Sequence, residues 1–192
     1  MRHLFRLSAA ACAVALGVAV ATADDTGSPS TQKGDKGKFK TVTDAEFVKM
    51  AASGGLFEVK SSELAKDQGQ SAEVKRFADR MIKDHTKANK ELETVAKKAG
   101  LEVPTKMTDE HAKLLDQVKA AKGSDFDRTY MTTQVKAHEE AVALFEAASK
   151  SVKNPDLKAF AAKTLPVIKE HYEHAKHHGG KGGTDKRGDR NP

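Results

Sequence analysis

The chain has 192 residues, 38% hydrophobic and 5% aromatic, with no tryptophan and one cysteine. Its 33 basic and 27 acidic side chains give a net charge of +6 with histidines neutral, spread without a basic stripe. With no zinc-finger spacing and no aromatics interleaved with arginines, no nucleic-acid partner is expected.

Arg2 and Arg6, the apolar run Leu7 to Val20 and the small residues Ala21-Thr22-Ala23 have the layout of an export signal over residues 1–23. The apolar run is too short for a membrane span. Cys12 lies within it, and Ala9-Ala10-Ala11 before it makes a poor lipoprotein box, so the mature protein is expected to lack any thiol. That excludes disulfides, thiolate metal sites and cysteine nucleophiles. Removing Arg2 and Arg6 leaves 31 basic residues against 27 acids, a net charge of about +4. The expected location is periplasmic or secreted, with outer-membrane association open and no transmembrane segment in the mature chain.

Residues 24–42 are rich in Gly, Ser, Thr, Lys and Asp, the composition of a flexible linker. A first long helix starts at Thr43 or Asp44 and runs to about Gln68, with Phe47, Ala51, Gly54, Glu58 and Ala65 on one face. A second runs from about Ser71 to Ala99, where Gly100 stops it. His85 sits in its apolar stripe between Met81 and Leu92. After Pro104, Thr108 caps a short helix carrying Leu114, Leu115 and Val118. The third long helix opens at Ser124 or Asp125 after Gly123 and places Phe126, Tyr130, Gln134, His138 and Phe145 inward. Asn154-Pro155 opens the fourth, whose stripe includes Leu157, Phe160, Ile168 and His171. Pro166 within it predicts a kink one turn before His171. From Gly179 to Pro192 the composition again reads as a disordered tail, leaving one domain over 43–178.

Met81-Ile82-Lys83-Asp84-His85 echoes Val167-Ile168-Lys169-Glu170-His171, and similar apolar runs precede both. The echo predicts two copies of one helical hairpin, each with an inward histidine. Asp84 and Glu170 lie about 100° round from their histidines, and are read as surface acids or as outer partners of the histidines.

A glutamate in the first helix, Asp84-His85 in the second, Phe126-Asp127-x-x-Tyr130 opening the third with His138 beyond it, and a late His171 resemble the DUF4142 family over about residues 43–178. These are exported bacterial proteins often labelled as outer-membrane proteins, of unsettled activity. The resemblance implies an all-α, ferritin-like four-helix bundle with a long, partly helical crossover between the second and third long helices. The segment from Gly100 to Gly123 is long enough to run the roughly 35 Å of a 24-residue helix.

Glu58, His85, His138 and His171 supply one candidate metal ligand from each long helix. Imidazoles and a carboxylate suit a single Zn, Cu, Fe, Mn or Ni ion. Di-iron bundles need two Glu-x-x-His motifs. Here Ile82, Val135 and Ile168 stand three residues before the histidines, so no di-iron centre is expected. His174 and His178, one turn apart, form a second and weaker candidate cluster. Tyr130 is read as packing with its hydroxyl at the edge. No catalytic elbow, phosphate loop or dinucleotide fingerprint is present, so binding is favoured over catalysis. Metal handling or stress protection is the leading expectation. The alternative is a non-catalytic envelope protein that meets a protein partner and whose core Glu and His residues form a structural hydrogen-bond network.

Overall fold

A computed structural model of the protein describes residues 39–179. The expected export signal over 1–23, the expected linker up to residue 38 and the expected tail from residue 180 lie outside the described residues. Five helices follow in order: α1 (Asp44–Gln68), α2 (Ala72–Lys98), α3 (Asp109–Ala120), α4 (Ser124–Ser151) and α5 (Pro155–Gly179). The described residues contain no strand. None of these helices is long and apolar enough to cross a membrane.

Helix starts follow local hydrogen-bond chemistry. Thr43 and Glu46 form a capping box on α1, and Ser71 and Thr108 cap α2 and α3. Two carboxylates then tie one hairpin to the other. Asp127 of α4 accepts the Gln70 and Ser71 amides of the α1–α2 turn, each at 2.8 Å. At the opposite end Asp44 of α1 accepts the Lys153 amide at 2.7 Å and the Asn154 amide at 3.1 Å. Asn154 Oδ1 in turn caps α5 by accepting the Asp156 and Leu157 amides. Gly100 and Gly123 have φ of 71° and 54°, a left-handed backbone that L side chains rarely adopt, and so mark where α2 ends and α4 begins. α5 continues as helix across Pro166.

Three apolar clusters set the helix directions. One joins Phe47 and Val48 of α1, Leu92 and Ala96 of α2, Ala148 of α4 and Leu157 of α5. A second joins Ala65 of α1, Val74 and Phe77 of α2, Phe126 and Tyr130 of α4 and Ala175 of α5. The start of α1 therefore meets the ends of α2 and α4 and the start of α5, so α1 and α5 run one way and α2 and α4 the other. The chain between α2 and α4 must cross the length of the four-helix bundle, and it does so partly as α3. The third cluster, Phe57, Leu114, Leu115 and Ala137, seats α3 on α1 and α4. Ser53 of α1 fastens that seat: its Oγ accepts the Thr108 amide at 2.8 Å and lies 2.7 Å from Nδ1 of buried His111.

α1 packs against α2 and α4, and α5 packs against the same two helices. Between the two end clusters the stripes of α1, α2, α4 and α5 carry polar residues in place of Leu or Phe, and those residues form the site.

Candidate metal centre

His85 follows Met81 by one helical turn and precedes Leu92 by two, which places it between the end clusters. His138 lies two turns past Tyr130, and His171 lies one turn before Ala175. Three helices thus deliver imidazoles to one depth. The His85, His138 and His171 ring centroids form a nearly equilateral triangle with sides of 5.6, 5.4 and 5.6 Å. One ring nitrogen from each lies within 4.8 Å of the other two.

His138 is fully buried and His171 is 1% exposed, while His85 is half-buried with a sealed Nε2. His138 Nδ1 lies 3.0 Å from the Gln134 carbonyl, which can only accept, so Nδ1 carries the proton and Nε2 keeps its lone pair. His171 Nε2 lies 3.0 Å from Asp84 Oδ2 and donates to it, leaving the lone pair on Nδ1. The nitrogens left over, His85 Nε2, His138 Nε2 and His171 Nδ1, are buried without a hydrogen-bond partner among the described residues.

Burial holds the three rings neutral. Desolvation, reinforced by the neighbouring imidazoles, pushes His85 well below the ordinary 6.5. His138 is pushed down to about 3 by the same causes, partly opposed by its bond to Gln134. His171 is lowered by burial, against the pull of Asp84. Near neutral pH the site therefore presents three uncharged lone pairs, the form in which imidazole binds a metal.

Of the four residues that the sequence nominates, the structure gathers three and sets Glu58 behind one of them. Glu58 is 3% exposed, and its Oε1 lies 3.4 Å from His138 Nδ1, the nitrogen that bonds Gln134. It is not among the groups whose ligand atoms fall within 4.8 Å of one another. Burial raises its carboxyl well above the usual 4.5. Glu58 and His85 also line a cavity of about 50 Å³ together with Gly54, Asn89 and Ala137. That volume is enough for a few waters or a small ligand atom.

Asp84, adjacent in sequence to His85, serves the histidine of another helix. Its Oδ2 also meets Arg80 Nε at 3.4 Å, and Arg80 Nη2 reaches Glu170 Oε2 at 2.7 Å. The two acids of the echo therefore differ, one holding His171 and the other holding Arg80. Tyr130 packs at full burial with its hydroxyl 2.9 Å from Ser62 Oγ, so it is structural here.

The end of α5 carries the second histidine cluster. His174 and His178 have ring centroids 4.7 Å apart, and Glu73 at the start of α2 joins them, its Oε1 2.9 Å from His178 Nε2. Sequence reasoning missed Glu73, because it reads simply as an acid favourable at a helix start.

A solved structure described as CopM in the Cu(II)-bound form superposes with a TM-score of 0.63 at 20% identity, covering 73% of this chain and 97% of that one. A DUF305 fragment from Deinococcus radiodurans gives 0.62 at 12% identity, covering 71% and 94%. At these identities the likeness concerns the fold, and it places the chain among all-helical bundles. No curated protein sequence matches the chain. A family model does match over residues 28–177, and the chain belongs to the family described as Domain of unknown function (DUF4142).

Proposed function

We propose that the protein binds one transition-metal ion in its core through His85, His138 and His171, and that it serves metal handling or stress protection in the cell envelope. The observation that carries this reading is a set of three histidines on three helices, each with a buried, unpartnered ring nitrogen and each with one ring nitrogen within 4.8 Å of the other two. Leaving a buried polar atom unsatisfied costs roughly 1–3 kcal/mol. A core that keeps three such atoms together, each ring already oriented or packed, is built for a shared partner.

The donor set fits. A tetrahedral ion with bonds of about 2.0–2.1 Å needs nitrogens about 3.3 Å apart, so closing from separations of up to 4.8 Å takes side-chain shifts of order 1 Å. Asp84 and the Gln134 carbonyl hold the proton-bearing nitrogens of His171 and His138, the usual outer support of metal-bound imidazoles. Glu58 completes the support of His138. The cavity beside Glu58 and His85 gives a fourth donor room, either a water or the Glu58 carboxylate after a side-chain turn. Three imidazoles without thiolate suit Cu(II) and Zn(II), with Cu(II) bound more tightly in the general order of divalent affinities. The Cu(II) named for the CopM structure is in keeping with that choice.

The competing reading is a structural hydrogen-bond network in an envelope interaction protein. It accounts for the outer bonds of His138 and His171 and leaves the three inner nitrogens without a role. Elemental analysis of the untagged protein against an H85A/H138A double variant tests the choice. Near-stoichiometric metal in the parent, lost in the variant, is expected. Substoichiometric metal that is the same in both would overturn the core site.

A further inference from the structure

Glu73, His174 and His178 form a group apart from the core triangle. Two of them lie one turn apart on α5, and the third comes from the first turn of α2. One ligand atom from each lies within 4.8 Å of the other two. His174 has its ring stacked on Phe77 with centroids 4.4 Å apart and planes 4° from parallel, which fixes its orientation. Its Nδ1 is buried and has no hydrogen-bond partner among the described residues. Its pKa is lowered, first by burial and then by the neighbouring His178. The geometry points to a second, shallower site in which Glu73, His174 and His178 bind a divalent transition-metal ion at the end of the bundle.

Two imidazoles and one carboxylate are a common ligand set for divalent zinc, with a fourth position left for water. An i, i+4 histidine pair alone already chelates, but here the third donor belongs to another helix. The ion would therefore bridge the start of α2 and the end of α5, where His178 and Glu73 already meet. Phe77 separates the two centres. Its ring stacks on His174 and stands edge-on to His171 at 6.4 Å. The outer site consequently fills and empties without ligands shared with the core, and it does not depend on the core reading being right. His178 and Glu73 are 38% and 44% exposed as side chains, so the outer site is expected to be the weaker and faster of the two.

Zn(II) titration of the untagged protein by calorimetry near neutral pH tests this, with far-UV circular dichroism confirming the fold of each variant. Two binding events are expected in the parent. H178A should remove the weaker event, and E73Q should weaken it at least about ten-fold, while both leave the tighter one in place. H85A/H138A should do the reverse, so failure of the core site shows as a different missing event. If H178A leaves the weaker event untouched, the site is refuted. If H178A removes it and E73Q changes nothing, a simple histidine pair binds the ion and the three-ligand, helix-bridging site is refuted.

Discussion

Replacing His85 by Leu separates a metal site from a structural network, because the two readings disagree about the sign of the effect. His85 Nε2 is a buried nitrogen without a hydrogen-bond partner among the described residues, and its ring sits between Met81 and Leu92 in an otherwise apolar stripe. Leucine has a similar volume, a higher helix propensity and nothing to satisfy. Relief of the unsatisfied nitrogen contributes roughly 1–3 kcal/mol. For a bundle of this size that raises the unfolding midpoint of the metal-free protein by roughly 3–10 °C. With metal the order reverses. An ion at a hundred times its Kd stabilises the parent by about 2.7 kcal/mol. The variant has lost one of three ligands and gains much less.

Thermal unfolding in chelator and in Cu(II) or Zn(II), followed by circular dichroism, should therefore give curves that cross: the variant higher without metal, the parent higher with it. In a structural network the histidine contributes to the apo fold, so the variant would melt lower under both conditions. That outcome, or a parent whose midpoint ignores metal, would rule out the three-histidine metal site.

D84A removes the acceptor that fixes the His171 tautomer, and metal affinity measured by competition with a chromophoric chelator should fall about 10–100-fold with the stoichiometry unchanged. E58Q keeps the shape beside His138; as an outer partner it should weaken binding by a similar factor, whereas a direct ligand would lose most of the affinity, and the same assay distinguishes them. Tyr130→Phe leaves Ser62 without its 2.9 Å partner and should cost about 1 kcal/mol in urea unfolding while metal affinity stays the same. In the apo protein the depressed histidines, His85, His138 and His171 in the core and His174 beside Phe77, take up protons on unfolding, so stability falls as pH drops below 6.5, and for His138 the loss continues to about 3. Glu58, whose carboxyl burial raises well above 4.5, acts in the opposite direction: it releases its proton on unfolding, so its contribution declines as pH rises from 4.5 through its raised value. Because the histidines outnumber the one acid, net stability should rise with pH between about 4.5 and 6.5; urea midpoints across pH measure that slope, and a maximum near pH 4.5 would contradict neutral buried imidazoles.

Much of this was legible in sequence. Thr43, Ser71 and Thr108 do cap their helices, Gly100 and Gly123 do mark breaks, and the helical stripes turn His85, His138 and His171 inward. A stripe shows which face of a helix is buried but not which neighbour that face meets. Glu58 shares the inward face of α1, yet α1 lies against α2 and α4, so the carboxylate meets the flank of His138 and not the centre of the triangle. Glu73 and His178 are close only because α2 starts at the end of the bundle where α5 finishes, a relation fixed by the crossover and by no local pattern. The links of Asp127 to the α1–α2 turn and of Asp44 to the α4–α5 turn are likewise contacts between hairpins. They give a physical reason for an aspartate between Phe126 and Tyr130: the aromatic rings bury while the carboxylate holds the opposite turn.

The echo between the two hairpins explains why the core can carry such a costly centre. Both copies turn a histidine inward, but in only one does the neighbouring acid cross over to support the other copy's ring: Asp84 holds His171, while Glu170 is drawn to Arg80 on the surface. His85 is then left without an equivalent carboxylate and faces the cavity shared with Glu58. A symmetric pair of acid-backed histidines would have approached two matching half-sites. The broken symmetry, with His138 supplied by α4 as a third ring backed by its own helix, makes a single three-nitrogen centre with one more accessible side. The apolar clusters above and below hold the helices in register, so three unpaired nitrogens are tolerated at mid-height without loosening the ends of the bundle. On this reasoning the face beside His85 is where an ion would enter, and substitutions around Asn89 and Gly55 should alter the rate of metal uptake more than its affinity. Stopped-flow metal binding to an N89L variant measures that directly: a slower on-rate with a nearly unchanged Kd is expected, and a changed Kd at constant on-rate would place the entrance elsewhere.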